Sequence, residues 1–240
     1  MKRCSTQNPG MLIFGSIDYL NLLPFQIYLK RRFGASQFQQ IRRWQRGVPS
    51  TVNRRFRRRQ VHAAFISSIE SRRCRCSDLG IVARGAVHSV LLIEGDASAD
   101  PASASSNRLA RVLGVEGRVL IGDAALRYRL AGGDALDLAE LWRERTGLPF
   151  VFARLCANRH GKKIRKLAAE FSSKEWKIPQ YLLRKAATSR DITPEELHWY
   201  LRHIDYRIGW KERKGLNLFL KKAGEAKSLK FKAKSEKQKA

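Results

Sequence analysis

The run "LGIVARGAVHSVLLIEG" (79–95) decides the architecture. Two apolar stretches sit on either side of Gly85, each short and rich in Ile, Val and Leu. They read as buried strands. A third run of the same kind, "LPFVFARLCA" (148–157), comes much later. Between them lies a segment with its own elements. "GDASADPASASSNRLARVLG" (95–114) is a small-residue loop feeding a helix capped near Ser105, Ser106 and Asn107. "RVLIGDAAL" (118–126) is a strand ending in Gly-Asp, and "ALDLAELWRERTG" (135–147) is a helix with Leu138, Leu141 and Trp142 on one face. A chain that crosses over near "SVLLIEG" and again near "PFVFARL" builds two α/β lobes with a ligand cleft between them.

The expected division is residues 11–91 plus 154–220 for one lobe and 92–153 for the other. "MLIFGSIDYLNLLPF" (11–25) reads as a strand, a loop and a helix with Pro24 in its first turn. "GVPSTVNRRFRRRQ" (47–60) reads as an Arg-faced helix with Val52 and Phe56 inward, and "VHAAFISS" (61–68) as another buried strand. Strand and helix alternate, which predicts a largely parallel sheet. Beyond residue 158 the pattern is helical, with an Asp or Thr cap, Pro194 and acids opening "DITPEELHWYLRHI" (191–204). Residues 221–240 lack apolar periodicity and read as a disordered basic tail. Residues 1–10 read as a dispensable leader, with Met11 as an alternative start.

The chain holds 48 Lys and Arg against 21 acids, a net charge of +27. Residues 30–60 carry eleven basic side chains and no acid, and the last twenty residues add eight lysines against two glutamates. Such a field attracts any polyanion or small dianion, so charge alone does not select the partner. No apolar stretch is long enough to span a membrane, and no secretory h-region follows the N-terminus. Cys74-Arg-Cys76 is too tight for a zinc pair, so Cys4, Cys74, Cys76 and Cys156 are expected as reduced thiols in the cytoplasm, with no metal. A phosphate-binding Gly loop and a nucleotide fingerprint are both missing, and no cofactor is implied.

"IDYLNLLPF" (17–25) places Asn21 among leucines, where its amide needs partners from the protein or a ligand. Together with "GVPSTVNRRF" (47–56), "AAFISSIES" (63–71), "VLIGDAAL" (119–126) and "LWRERTGLPFVFA" (141–153), this stretch resembles chorismate dehydratase, over roughly residues 11–220. The resemblance implies a fold like the type II periplasmic binding proteins. It also implies loss of water from chorismate, a small dianion, to give 3-[(1-carboxyvinyl)oxy]benzoate on the futalosine route to menaquinone. Asn21 is then the catalytic polar residue and Ser89 a substrate contact on the hinge strand. Ser67 and Ser68 end a strand and offer hydroxyls to an anion. Ser105, Ser106 and Asn107 open a helix whose N–H groups suit a carboxylate. Asp123 belongs to the family pattern, and is expected to support its loop rather than to react.

His62, His88 and His160 have no carboxylate partner in the pattern, and no general base stands out near Asn21. A substrate carboxylate is therefore a candidate proton acceptor. Rival readings are a non-catalytic two-lobed anion-binding protein, the sister enzyme acting on cyclic dehypoxanthinyl futalosine, and a nucleic-acid-binding protein. The aromatics among the arginines, Phe33, Phe38, Trp44 and Phe56, form no recognition motif, so no specific nucleic acid is expected. The oligomeric state is left open.

Overall fold

The computed structural model describes residues 12–42, 46–96, 98–174 and 176–236. The expected leader, residues 1–10, lies outside them. Two sheets organise the chain. The larger runs β1–β2–β7–β3–β8, from strands Phe14–Gly15, Ala63–Ser67, Phe150–Ala157, Cys76–Ala83 and Asp205–Arg207. The smaller runs β5–β4–β6, from Arg118–Ile121, Val90–Ile93 and Leu136–Asp137. Among the described strands, β1 and β2 pair in parallel and the other strand pairs are antiparallel. The expected parallel core is thus corrected. Because β7 returns from the other lobe rather than from a local helical crossover, nothing obliges it to run parallel to its neighbours.

The helices are α1 (Leu23–Phe33), α2 (Ala35–Arg42), α3 (Pro49–Arg57), α4 (Ala104–Leu113), α5 (Gly122–Leu130), α6 (Leu138–Thr146), α7 (Gly161–Ser172), α8 (Gln180–Thr188), α9 (Pro194–Leu201) and α10 (Trp210–Glu236). Val52 and Phe56 of α3 are buried as their spacing requires, and α9 carries a full capping box between Thr193 and Glu196. Phe25 of α1 packs edge-on against Phe65 of β2 and Phe171 of α7, closing one side of the larger sheet. Trp142 of α6, wholly buried, meets Phe150 of β7 and Phe219 of α10, so α10 ties the smaller lobe to the larger sheet.

Three expectations change. β8 is a short edge strand inside the stretch read as helical; its three residues are too few for a periodicity signal. The backbone of α10 stays helical to Glu236, across much of the segment read as a disordered tail, in keeping with the helix propensity of Ala, Lys and Glu. Cys76 and Cys156, register partners on β3 and β7, are joined in a disulfide rather than left as thiols, and Cys74 is free. Sequence spacing cannot show such a pairing, because strand register brings the two sulfurs together. The smaller sheet's β4 begins at Val90, and the larger sheet's β7 begins at Phe150. Among the described residues no helix is long and apolar enough to cross a membrane.

Candidate active site

The largest-consequence cavity opens between the sheets, bounded by strand ends and helix starts of both lobes. It holds roughly 600 Å³ of space free of protein atoms, its open mouth included. Asn21, Ser67, Ser89 and Ser106 all line it. Ile17, Phe65, Ile81, Ile121 and Phe152 supply an apolar wall. No Asp, Glu, His, Lys or Arg is among the described lining residues, although the whole chain carries +27.

Asn21 rides on a 3-10 turn (Leu20–Leu22) between β1 and α1. Its backbone carbonyl accepts a 2.6 Å hydrogen bond from the Tyr206 hydroxyl. The preceding residue is held from the opposite lobe: Asp123 Oδ1 accepts the Leu20 N–H at 3.1 Å, while Asp123 Oδ2 lies 2.6 Å from Arg190 Nε. Arg190 in turn donates to the Asp18 carbonyl at 3.0 Å. Asp123 thus has a structural part, but it supports the distant turn that carries Asn21 rather than its own loop, the support expected from sequence.

Ser89, buried at the head of β4, accepts a 2.9 Å hydrogen bond from the Tyr200 hydroxyl. Burial drives the Tyr200 pKa well above its ordinary value, so the phenol stays protonated. The segment before Ser89 is fixed by Asp137, whose Oδ2 accepts the N–H groups of Val87 (2.9 Å) and His88 (2.7 Å). Its Oδ1 caps α6 through Ala139 and Glu140. Burial raises the Asp137 pKa, and these four backbone bonds oppose that rise.

Ser67 ends β2 and is oriented by buried Asn53 of α3. Asn53 Nδ2 donates to Ser67 Oγ at 2.9 Å, and Ser67 N–H donates to Asn53 Oδ1 at 3.2 Å. With its oxygen accepting from Asn53, the Ser67 O–H can turn to the cleft. The α4 helix starts two residues earlier than its expected cap: Ser103 is the N-cap, accepting the Ser106 N–H at 3.2 Å and donating to Ser106 Oγ at 2.8 Å. Both serines line the cleft.

The remaining expected contacts are not brought to the lining. Ser68 and Ser105, both fully buried, bond each other at 3.0 Å across the lobe boundary, and Ser68 also donates to the Phe152 carbonyl. Asn107 folds back on the Asp100 backbone, accepting at 2.9 Å and donating at 2.6 Å. Four contributors carried no signal that the sequence reading used: Tyr200, Tyr206, Asn53 and Asp137. Tyr200 and Tyr206 lie far along the chain, in a segment legible only as helical. Asn53 lies inside one of the recognised motifs and was within reach.

The cleft offers an anion uncharged donors. The starts of α3 (at Pro49), α4 (at Ser103 and Ser106) and α5 (at Gly122) all reach it, each with the positive end of a helix dipole. Gly122 has φ +65°, and a Cβ there would stand 2.8 Å from the Tyr19 ring, so only glycine lets α5 approach so closely. Tyr19, another lining residue, has its pKa pushed up to about 12 by burial and by the charges of Asp100 and Asp123. At neutral pH it is a hydrogen-bond donor and not a base.

A family model described as menaquinone biosynthesis matches residues 105–225. Chorismate dehydratase of Campylobacter jejuni subsp. jejuni serotype O:23/36 (strain 81-176) is 41% identical over 215 residues, covering 88% of this chain and 96% of that protein. Among solved structures, protein AF1704 from Archaeoglobus fulgidus superposes with a TM-score of 0.63 at 15% identity, covering 91% of this chain and 98% of that one. The periplasmic aliphatic sulphonate binding protein SsuA from Escherichia coli gives a TM-score of 0.52 at 13% identity, covering 92% of each chain. At such identities these two likenesses speak to the fold alone, and the fold is that of the two-lobed binding proteins.

Proposed function

The chain belongs to the menaquinone-biosynthesis family that includes chorismate dehydratase, and from that membership we propose that it eliminates water from chorismate to give 3-[(1-carboxyvinyl)oxy]benzoate. The observation that carries the reading to this cleft is the convergence of Asn21, Ser67, Ser89 and Ser106 from both lobes on one cavity. We assign the orienting role to Asn21 and substrate contact to Ser67, Ser89 and Ser106. Ser68, Ser105 and Asn107 act behind that surface, where their hydrogen bonds hold the lobe boundary and the α4 entry.

Chorismate at neutral pH is a dianion. Helix starts and hydroxyls are suited to its two carboxylates without the desolvation cost of burying a lysine or arginine beside an apolar wall. The reaction removes a ring C–H proton and a ring hydroxide, which leave together as water, and the ring becomes aromatic. Aromatisation supplies the thermodynamic drive, so the protein's share is to hold the ring in a reactive pose and to stabilise the departing oxygen. Tyr19 is the lone ionisable group among the described lining residues and stays protonated. A carboxylate of the substrate therefore takes the ring proton in this scheme, held in reach by the donors around it. We further place the reaction on the futalosine route, in the cytoplasm, where its substrate is an intracellular metabolite.

Purified protein incubated with chorismate alone, without added metal or cofactor, should yield an aromatic product lighter by one water, read by liquid chromatography and mass spectrometry. Chorismate that binds and stays intact would instead mean a binding protein that keeps the cleft without the chemistry.

A further inference from the structure

Arg154 stands inside the larger sheet, on β7 between β2 and β3, where its register partners are Ile66 and Gly80. A half-buried cation in such a place is costly unless an anion meets it. Its Nε is sealed from solvent and has no hydrogen-bond partner among the described residues. Asp78 acts on it electrostatically, but that carboxylate is bonded to Arg213 at 2.8 Å. Burial is the larger influence and pulls the Arg154 pKa down, yet a guanidinium stays charged at any physiological pH.

The cavity that Arg154 lines lies between β3, β7 and α10, and it shares no described lining residue with the cleft. It holds about 1810 Å³ of space free of protein atoms, its open mouth included. Arg72, Arg213 and Lys221 join Arg154 on its wall, against two acids, Asp78 and Glu225, so positive charge is in excess by two. Ile208, Leu216 and Leu220 supply an apolar strip. The first two belong, with Val82 and Val151, to a small hydrophobic cluster separate from the main core. Gly80 keeps the place beside Arg154 open: it has no side chain, and a Cβ there would stand 2.7 Å from Ile208 Cδ1.

We propose that this cavity is a second ligand site, which takes a small organic dianion. Its charged groups meet Arg154, Arg72 and Lys221, and its apolar body covers Ile208, Leu216 and Leu220. The excess of two positive charges selects a dianion, since a single negative charge would leave one cation unmet. The apolar strip selects an organic body over an inorganic ion. A long polyanion is disfavoured, because Asp78 and Glu225 on the same wall repel a run of phosphates. Arg213, already bonded to Asp78, frames the site rather than filling it. Occupancy does not depend on the dehydratase chemistry of the cleft, which is built from other residues.

The sealed Arg154 Nε–H is the reporter, because shielding from water slows its exchange. In a nitrogen–proton correlation spectrum of the arginine side chains it is assigned by its loss in Arg154→Met. Should that variant fail to fold, Arg154→Lys removes the same signal and keeps the charge. The probe is benzene-1,3-dicarboxylate, added at constant ionic strength against sodium chloride. The Arg154 signal should shift and saturate, with a dissociation constant of roughly a millimolar or below. The double variant Arg72→Gln, Lys221→Gln, changed at two exposed positions, should weaken that binding about fivefold or more. Inorganic phosphate, with no apolar body, should bind about tenfold more weakly than the probe. A shift that chloride reproduces, or that never saturates, would overturn the site. So would a double variant that titrates as the wild type does, the result expected if the probe entered the cleft alone. Phosphate binding as tightly as the probe would overturn the organic ligand. No readout uses chorismate, so a protein inert towards chorismate would sink the dehydratase reading and leave this titration to decide the second site.

Discussion

Asp123 reaches from the first turn of α5 to the Leu20 N–H, 3.1 Å away on the other side of the cleft. One carboxylate thus joins the lobe that carries Ser89 to the turn that carries Asn21, and it is held in place by Arg190 at 2.6 Å. Asp123 is largely buried and Arg190 about one-third exposed, so the pair is better shielded from solvent than a surface ion pair.

Asp123→Ala removes both bonds and leaves the Leu20 N–H and the Arg190 guanidinium without their acceptor. Stability should fall by about 1–3 kcal/mol. Turnover of chorismate should fall by roughly tenfold or more, because the displaced turn carries Asn21. Asp123→Asn keeps an acceptor for Leu20 and should lie between the two. Thermal unfolding and steady-state kinetics on the three proteins check the order; a D123A enzyme with wild-type kcat would refute the link to Asn21.

Asp137 supports the other side in the same manner. Asp137→Asn can present one oxygen where four backbone N–H groups now converge, and its NH2 would face donors. The substitution should cost about 2–3 kcal/mol and loosen the approach to Ser89. Denaturant unfolding gives the first number. The second shows as a loss of kcat beyond what stability accounts for, measured well below the unfolding midpoint.

Much of this arrangement is legible in the amino-acid sequence. The apolar runs around Gly85 and at 148–157 coincide with β3, β4 and β7, because buried strands need continuous apolar runs. Asn21, Ser67 and Ser89, all on the cleft lining, stand respectively after, at the end of and at the head of such runs. The polar residues that orient them are not legible in this way. Asn53, Asp137 and Tyr200 act through partners between 14 and 111 residues away, and neither period nor propensity encodes those distances. The start of α4 is ambiguous in sequence for a local reason: three of the four residues 103–106 are serines, and any of them is a good cap. Choosing Ser103 turned Ser105 into the lobe boundary and left Ser106 at the cleft.

His88 gives the fold an acid limit. Burial, then His203 and Arg129, lower its pKa to about 4, against about 6.5 in an unfolded chain. The ring is packed against Trp199 and His203, with centroids 4.5 and 4.4 Å away. Between these two pKa values the unfolded state binds a proton that the folded state refuses, so stability falls as pH drops from about 6.5 towards 4. His62, also lowered by burial and by His160 and Arg159, works in the same direction. His88→Asn suits the positive φ of 59° and removes the titrating ring. Its melting temperature should therefore drop less between pH 7.5 and pH 5 than that of the wild type. Equal drops would mean that His88 is not the source.

The contrast between a chain of net charge +27 and a cleft with no charged side chain among its described lining residues separates two effects of salt. The outer field, with Arg54, Arg55, Arg57, Arg58 and Arg59 among its sources, draws a dianion towards the protein from a distance. That attraction is screened over about 10 Å at 0.1 M salt. The donors inside the cleft act by hydrogen bonds at contact and against an apolar wall, where added ions do not enter. Raising salt from low to several hundred millimolar should therefore lower kcat/KM for chorismate several-fold through KM and leave kcat nearly constant. Exchanging Arg57 and Arg58 for Gln should lower kcat/KM at low salt and make no difference at high salt. A kcat that fell in step with kcat/KM would place a screened charge inside the reacting complex, and the neutral-donor account of the cleft would have to be abandoned.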